Sequence, residues 1–363
     1  MDLIGASNGW RARLKLQMGD SHKQVGSGEG SNSGELSTGI QGLHRFAVLT
    51  AVATFALIFV GGLVTSTGSA LAVPDWPLSF GKFFPRMEGG VLYEHGHRMV
   101  AGAVAIMTLV LMVWTLTREQ RAWVRYIAVA AFALVVFQAV LGGLTVLFLL
   151  PLPIAVAHAG TAQAFFCLTV ALSLFTNPRW DVAHPRRRTE QSQLSLPALA
   201  AIATAVIYAQ ILIGAVMRHM GAGLAIPDFP LSMGRIVPPL DSIYVAVNFA
   251  HRCGALAAAI FVVWTVARVL RFYGDEPMLL RPAVTLITLF AIQVALGALT
   301  VWTLKAIFPT TVHVAVGAGV LATSLVLTLR SYRLLAEPAV MHGAQERPVF
   351  ASDRGRIERE VTA

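Results

Sequence analysis

Eight stretches of about 20 predominantly apolar residues, at roughly 46–66, 95–117, 123–148, 152–176, 197–217, 243–268, 279–303 and 309–332, run through this chain. That is the length an α-helix needs to cross the hydrocarbon core of a bilayer. Composition supports the same reading, because 56% hydrophobic and only 13% charged residues over 363 positions, with a mean hydropathy of +0.66, is not the mixture of a soluble globular protein. The expected fold is an all-α polytopic membrane protein of eight transmembrane helices.

Those helices fall into two copies of one unit. Pro74-Asp75-Trp76-Pro77-Leu78-Ser79 returns as Pro227-Asp228-Phe229-Pro230-Leu231-Ser232 at an offset of 153, and His97-Arg98 returns as His251-Arg252 at 154. The segment Gln138 to Val146 returns as Gln293 to Val301, and His158 as His313, both at 155. A drift of two residues is small loop change, so the chain reads as a duplicated four-helix unit. Two tandem four-helix bundles related by a pseudo-two-fold axis are expected, the first over 46–176 and the second over 197–335, with a linker at 177–196. An even number of spans per unit gives both halves one orientation.

Charge sets that orientation. Lys and Arg crowd into the two ends of the chain and the connections after the second, fourth and sixth spans, whereas the opposite side carries only Lys82, Arg86, Arg218, Arg235 and Lys305 outside the histidine-bearing helices. By the positive-inside rule both termini are cytoplasmic, in the inner (plasma) membrane of a cell. The net charge of +9 then belongs to topology and to contact with anionic membrane lipids, and no nucleic-acid partner is implied. Residues 1–45, rich in Gly and Ser and without the apolar core of a cleavable signal, are expected to form a disordered cytoplasmic tail, as are 336–363.

Four histidines occupy matching places: His97 and His158 in the first half, His251 and His313 in the second. The topology puts each in the first third of a helix that starts on the outer side. An ionisable side chain in a span is costly and marks a functional site by default. Two helices running the same way with imidazoles at similar depth can clamp a flat macrocycle, and imidazole is an axial ligand of haem iron. Buried packing or a proton relay is the competing reading for any one of them, but four positions obeying one repeat favour ligation. His22, His44, His184 and His342 lie in tails or short connections, His95 faces away from His97 on a helix, and His219 has no counterpart at Ser66.

One acidic residue breaks the symmetry. Glu94 stands one helical turn before His97, where the second half has Asn248 before His251. Only a carboxylate can accept a proton or stabilise a cation, so a reactive and a supporting site are one reading; an ion pair with a nearby Arg is the other. Arg98 and Arg252 suit carboxylate pairing with haem propionates or the anchoring of helix ends in head groups. The Pro-Asp-aromatic-Pro loops read either as lids or as compact connectors. Cys167 and Cys253 both fall within spans, so no loop disulfide and no cysteine-based metal site is expected.

From Phe46 to Arg333 the chain resembles the haem A synthases of bacteria and mitochondria. The likeness rests on the eight helices in two repeats, the Glu94-x-x-His97-Arg98 motif at the start of the second helix, and the later histidines 158, 251 and 313. The loop from Gly68 to Ser79 is similar to a prokaryotic branch, without the outer-loop cysteine pair of some members. The resemblance implies oxidation of the C8 methyl of haem O to a formyl group, giving haem A for terminal oxidases. It implies that His97 and His158 hold the substrate haem, that Glu94 assists its oxidation, and that His251 and His313 hold a haem b (iron) cofactor. A haem O synthase, terminal oxidase assembly and a membrane electron acceptor of unspecified identity are the partners it suggests. A dihaem b-type electron-transfer protein without catalytic activity is the alternative that bis-histidine helices alone leave open; the unpaired Glu94 argues against it.

Overall fold

The computed structural model describes residues 29–182 and 193–335, and these are helical apart from short connections. Eight helices are long and apolar enough to cross a membrane: α1 (Glu29–Ser66), α2 (Gly90–Arg118), α3 (Ala122–Leu147), α4 (Leu152–Phe175), α5 (Leu196–His219), α6 (Ile243–Phe272), α7 (Pro277–Trp302) and α8 (Ile307–Leu335). One further turn of helix, Arg179–Val182, follows α4, and a 3₁₀ turn, Ala222–Leu224, follows α5. Their boundaries lie within a few residues of the expected spans, except at α1. That helix begins at Glu29 rather than near 46, so the described part of the expected disordered tail is helical. Leu36, Ile40, Leu43 and Ala47 recur at helical spacing, Leu43 and Ala47 are buried, and His44 donates from Nδ1 to Ser173 O in α4 at 2.9 Å. Residues 1–28, 183–192 and 336–363, and with them His22, His184 and His342, lie outside the described residues.

Within each half the four helices close a ring: α1 packs on α2, α2 on α3, α3 on α4 and α4 on α1, and α5 to α8 repeat the order. The halves meet through α1 against α8, α4 against α5 and α4 against α8. First and last helices of each unit therefore form the seam, a pattern consistent with tandem bundles related by a two-fold axis. Each half has its own apolar core, one around Leu111, Ala131, Phe165 and Leu172, the other around Val262, Leu279, Leu286 and Leu327. At the seam, Arg218 at the end of α5 donates to Gly62 O and Ser66 Oγ of α1, both at 3.0 Å, and Thr311 of α8 donates to the same Ser66 Oγ at 3.0 Å.

The connections α1–α2 (67–89) and α5–α6 (220–242) are the two long loops, and they share one end of the molecule with the short turns α3–α4 and α7–α8. Both loops adopt the same conformation. Asp75 accepts from the backbone N–H of Phe80 and Gly81 at 2.7 and 2.8 Å, and Asp228 from Met233 and Gly234 at 2.6 and 2.8 Å. Ser79 pairs through its backbone with Lys82 as Ser232 does with Arg235. The chain reverses through Phe80-Gly81 and Met233-Gly234, all four at φ between 55° and 70°; in each pair the glycine takes the left-handed conformation without the Cβ penalty its neighbour bears.

Candidate functional site

Each repeated histidine lies in the first third of its helix, at the end with the long loops: His97 on α2, His158 on α4, His251 on α6 and His313 on α8. Each imidazole rests on a glycine of the helix before it. A methyl group at Gly61 would lie 3.1 Å from His97 Cε1, at Gly142 3.2 Å from His158 Cε1, at Gly214 2.9 Å from His251 Cε1, and at Gly297 3.2 Å from His313 Cε1. All four glycines stand five residues before the last residue of their helix. Glycine leaves room for the ring: an added Cβ would push His251 aside at Gly214 and make each of the other three rings give by a few tenths of an ångström. In every case Cε1 is the nearest ring atom to the glycine, Nδ1 comes next, and Nε2 is the furthest of the three. Nε2 is thus the nitrogen left to reach inward.

Within each half the two histidines lie near one another, His97 close enough to interact electrostatically with His158 and His251 with His313. Among the described residues no group of three or more His, Cys, Asp or Glu is placed to hold a metal ion. A bare ion would lack ligands, whereas the iron of a haem brings four nitrogens and needs only two more. The donor set fits a bis-histidine haem in each half, and the glycine seats clear a flat face beside each ring. Cys167 and Cys253 are free thiols.

The two pairs are held differently. In the second half His313 Nδ1 donates to Gln293 O at 3.1 Å and His251 Nδ1 lies 3.1 Å from Gln210 Nε2. In the first half Nδ1 of both His97 and His158 is buried without a partner, although Gln138 Nε2 donates to the backbone oxygen of His158 at 2.8 Å.

Glu94 and Asn248 are both buried, and both face their long loop. Glu94 accepts from Val73 N at 2.8 Å through Oε2 and pairs with Arg98 at 2.6 Å through Oε1. Asn248 does the reverse, donating from Nδ2 to Ala222 O at 2.9 Å and Gly223 O at 3.2 Å while its Oδ1 accepts from Arg252 Nε at 3.1 Å. The ion-pair reading of Glu94 is therefore the arrangement observed.

Arg98 donates to Asp75 O and Leu78 O at 2.7 and 2.8 Å, with Val73 O at 3.4 Å, and Arg252 makes the matching set to Asp228 O, Leu231 O and Ile226 O at 2.8, 2.7 and 3.1 Å. Neither sequence reading of these arginines anticipated this: they strap the loop to the helix that carries the ligand. His95 joins the strap, with Nδ1 2.8 Å from Ser79 Oγ. The loops are held over the site end of each half, and Trp76 presses on α3 where a methyl at Gly143 would come within 2.6 Å of the indole. The second half has the smaller Phe229 and the larger Ala298 at these positions.

Sequence reading missed three features. The seating glycines follow the repeat, Gly61 returning as Gly214 and Gly142 as Gly297, and a Gln four residues earlier marks three of them, but nothing in the sequence says that a ring lies on them. Arg218 and His219 gave no repeat signal because they lie on the seam, where Arg218 ties α5 to α1 and His219 lies near enough to His158 to interact with it.

Known proteins share most of this sequence's length. A haem A synthase of Symbiobacterium thermophilum is 32% identical over 69% of this chain and 82% of its own length. Haem A synthases of Geobacillus thermodenitrificans and Geobacillus kaustophilus are each 28% identical, over 82% and 84% of this chain and 95% and 96% of theirs. The sequence model of the cytochrome oxidase assembly proteins matches residues 44–325, from α1 into α8 and across all four glycine-seated histidines, and the chain belongs to that COX15-CtaA family.

Proposed function

We propose that the protein is a haem A synthase, a membrane oxidoreductase that converts the C8 methyl of haem O to a formyl group. The first bundle takes the substrate between His97 and His158, and the second keeps a haem b between His251 and His313. The observation that carries this division is the unequal support of the imidazoles: His313 Nδ1 donates to Gln293 O and His251 Nδ1 has the Gln210 amide beside it, whereas Nδ1 of His97 and of His158 has no partner. The names of the similar proteins supply the reaction.

When bound, haem b supplies a one-electron redox centre beside the substrate bundle. The chain does the rest. Its histidines orient the two macrocycles, and its glycines let the rings approach the helix backbones. The long loops, strapped by Arg98 and Arg252, cover the site end and limit the access of water. Glu94, one turn from His97 and locked by Val73 N and Arg98, is a buried carboxylate of the first half that would take up protons released as the methyl group is oxidised. Arg98 and Arg252, at the same level, stand ready for propionates once the loops shift.

The charge asymmetry supports a topology with both termini in the cytoplasm and both haem sites toward the outer face of the plasma membrane. A haem O synthase supplies the substrate, terminal oxidase assembly takes up the product, and a membrane component accepts the electrons. The test is the haem extracted from membranes in which the chain is co-expressed with a haem O source. Haem A is expected; haem b with unconverted haem O would replace this reading with that of a dihaem electron-transfer protein.

A further inference from the structure

Four residues before each seating glycine, and so on the same helix face one turn earlier, stand residues 57, 138, 210 and 293. Three are glutamine and the fourth is Leu57. Gln210 Nε2 donates to His251 O at 2.8 Å and lies 3.1 Å from His251 Nδ1. Gln293 addresses both nitrogens of His313, its backbone oxygen accepting from Nδ1 and its Nε2 lying 3.3 Å from Nε2. Gln138 Nε2 donates to His158 O at 2.8 Å. In all three the Oε1 atom is buried without a partner, which is costly in an apolar interior. Leu57 instead packs with the apolar core of the first half and has nothing to offer a ring.

A histidine that binds iron through Nε2 needs an acceptor for its Nδ1–H. An amide oxygen and nitrogen are interchanged by a half-turn of the side chain; in Gln210 that turn gives up the 2.8 Å bond to His251 O in exchange for bringing the idle Oε1 to face His251 Nδ1. In Gln293 the backbone oxygen already accepts that proton, and the amide needs only to leave Nε2 clear. The second half can thus satisfy both ligands, His158 has a glutamine on its backbone alone, and His97 has none.

We propose that Gln210, Gln293 and Gln138 are positioning residues for the ligand imidazoles, and that Leu57 makes His97 the ligand that opens, so that substrate enters and product leaves by release at His97. This rests on the reading that the first half takes the substrate haem. It assigns the difference between a retained and an exchanging macrocycle to one side chain per site.

The experiment follows haem loss to an excess of a soluble apo-globin from purified full-length protein loaded with haemin, using His97→Ala to isolate the second half and His251→Ala to isolate the first. Gln210→Met is expected to speed loss from the second half by about 10- to 100-fold, the usual cost of removing a partner behind a ligating histidine, whereas Gln210→Glu, which keeps an acceptor, should restore retention. Leu57→Gln should slow loss from the first half about tenfold, with Leu57→Met, similar in volume and without an amide, unchanged. Low-spin electron paramagnetic resonance g-values should shift in Gln210→Met and return in Gln210→Glu. Wild-type loss rates in Gln210→Met, or equal rates in Leu57→Gln and Leu57→Met, would overturn the positioning role while leaving the histidine assignment intact. A haem content unaffected by His251→Ala and His313→Ala would instead remove the assignment itself, and the proposal with it.

Discussion

The long loops of the two halves match in their hydrogen bonds, aspartate to the same two N–H groups and arginine to the same three carbonyls, yet the residue beneath each loop has opposite polarity. In the first half a carboxylate accepts from Val73 N; in the second an amide donates to Ala222 O and Gly223 O. Duplication has preserved the strap and changed what sits under it. Because Glu94 and Asn248 are both buried and matched to their own loop backbone, the difference cannot drift freely. It is also where a reactive half and a supporting half part company, along with the partners of the imidazole nitrogens.

The most severe way to break the comparison is to remove the ligands. His251→Ala or His313→Ala should abolish most of the low-spin b-type spectrum of purified protein, while His97→Ala or His158→Ala should leave that spectrum and abolish haem A. Equal losses of the b-type spectrum from all four variants would erase the distinction between the halves.

Next in size is Glu94. Glu94→Gln should keep the second-half haem and the fold but block haem A formation, because an amide can neither take up a proton nor balance Arg98. Exchange of the pair, Glu94→Asn with Asn248→Glu, should not move activity to the second half: Glu at 248 would turn a buried carboxylate toward the oxygens of Ala222 and Gly223, which repel it. Full haem A yield from the exchanged protein would separate the carboxylate from the choice of reacting half.

A smaller effect probes how the loops seat. Gly143→Ala places a methyl within 2.6–2.9 Å of the Trp76 indole, so about 1–3 kcal/mol of overpacking is expected in thermal unfolding. Adding Trp76→Phe should relieve it, since the second half carries Phe229 with Ala298. If the double variant is no more stable than Gly143→Ala alone, the loops are not size-matched to their helices.

What the sequence revealed follows from how far each signal reaches. Seven of eight spans were legible within a few residues because hydropathy over about 20 positions is a sum that single residues barely alter. The start of α1 was not, because Gly30 to Gly34 reads as linker by composition, while the contact that extends the buried face, His44 on Ser173, comes from a helix more than a hundred residues away. The four histidines were visible as a repeat. The glycines beneath them repeat as well, Gly61 as Gly214 and Gly142 as Gly297, but a glycine has no side chain to announce a role, and theirs appears only when a ring lies on it. Likewise Arg98 and Arg252 are plain in the motif, but that they turn back to loop carbonyls depends on a reversal twenty residues upstream. Arg218 belongs to neither repeat and only the seam explains it.

The smallest expected effect concerns a pair of residues on which the halves should agree. Asp75 and Asp228 both have carboxyls held below their ordinary value of 3.8, first by the backbone N–H of Gly81 or Gly234 and then by that of Phe80 or Met233. A carboxylate with a lowered folded-state value contributes stability above its ordinary value and loses it only as pH falls below that, through the depressed one. Loop integrity should therefore be flat between about pH 5 and 8 in both halves. Asp75→Asn and Asp228→Asn, which keep one accepting oxygen, should lower the unfolding temperature slightly and by the same amount, because both groups are exposed to solvent that screens them. Unequal shifts would show that the strap is mechanically coupled to its site in one half. A larger shift for Asp75→Asn, together with loss of haem A, would extend the asymmetry from Glu94 outward into the loop itself and make the first-half loop part of the reacting site rather than a cover shared by both.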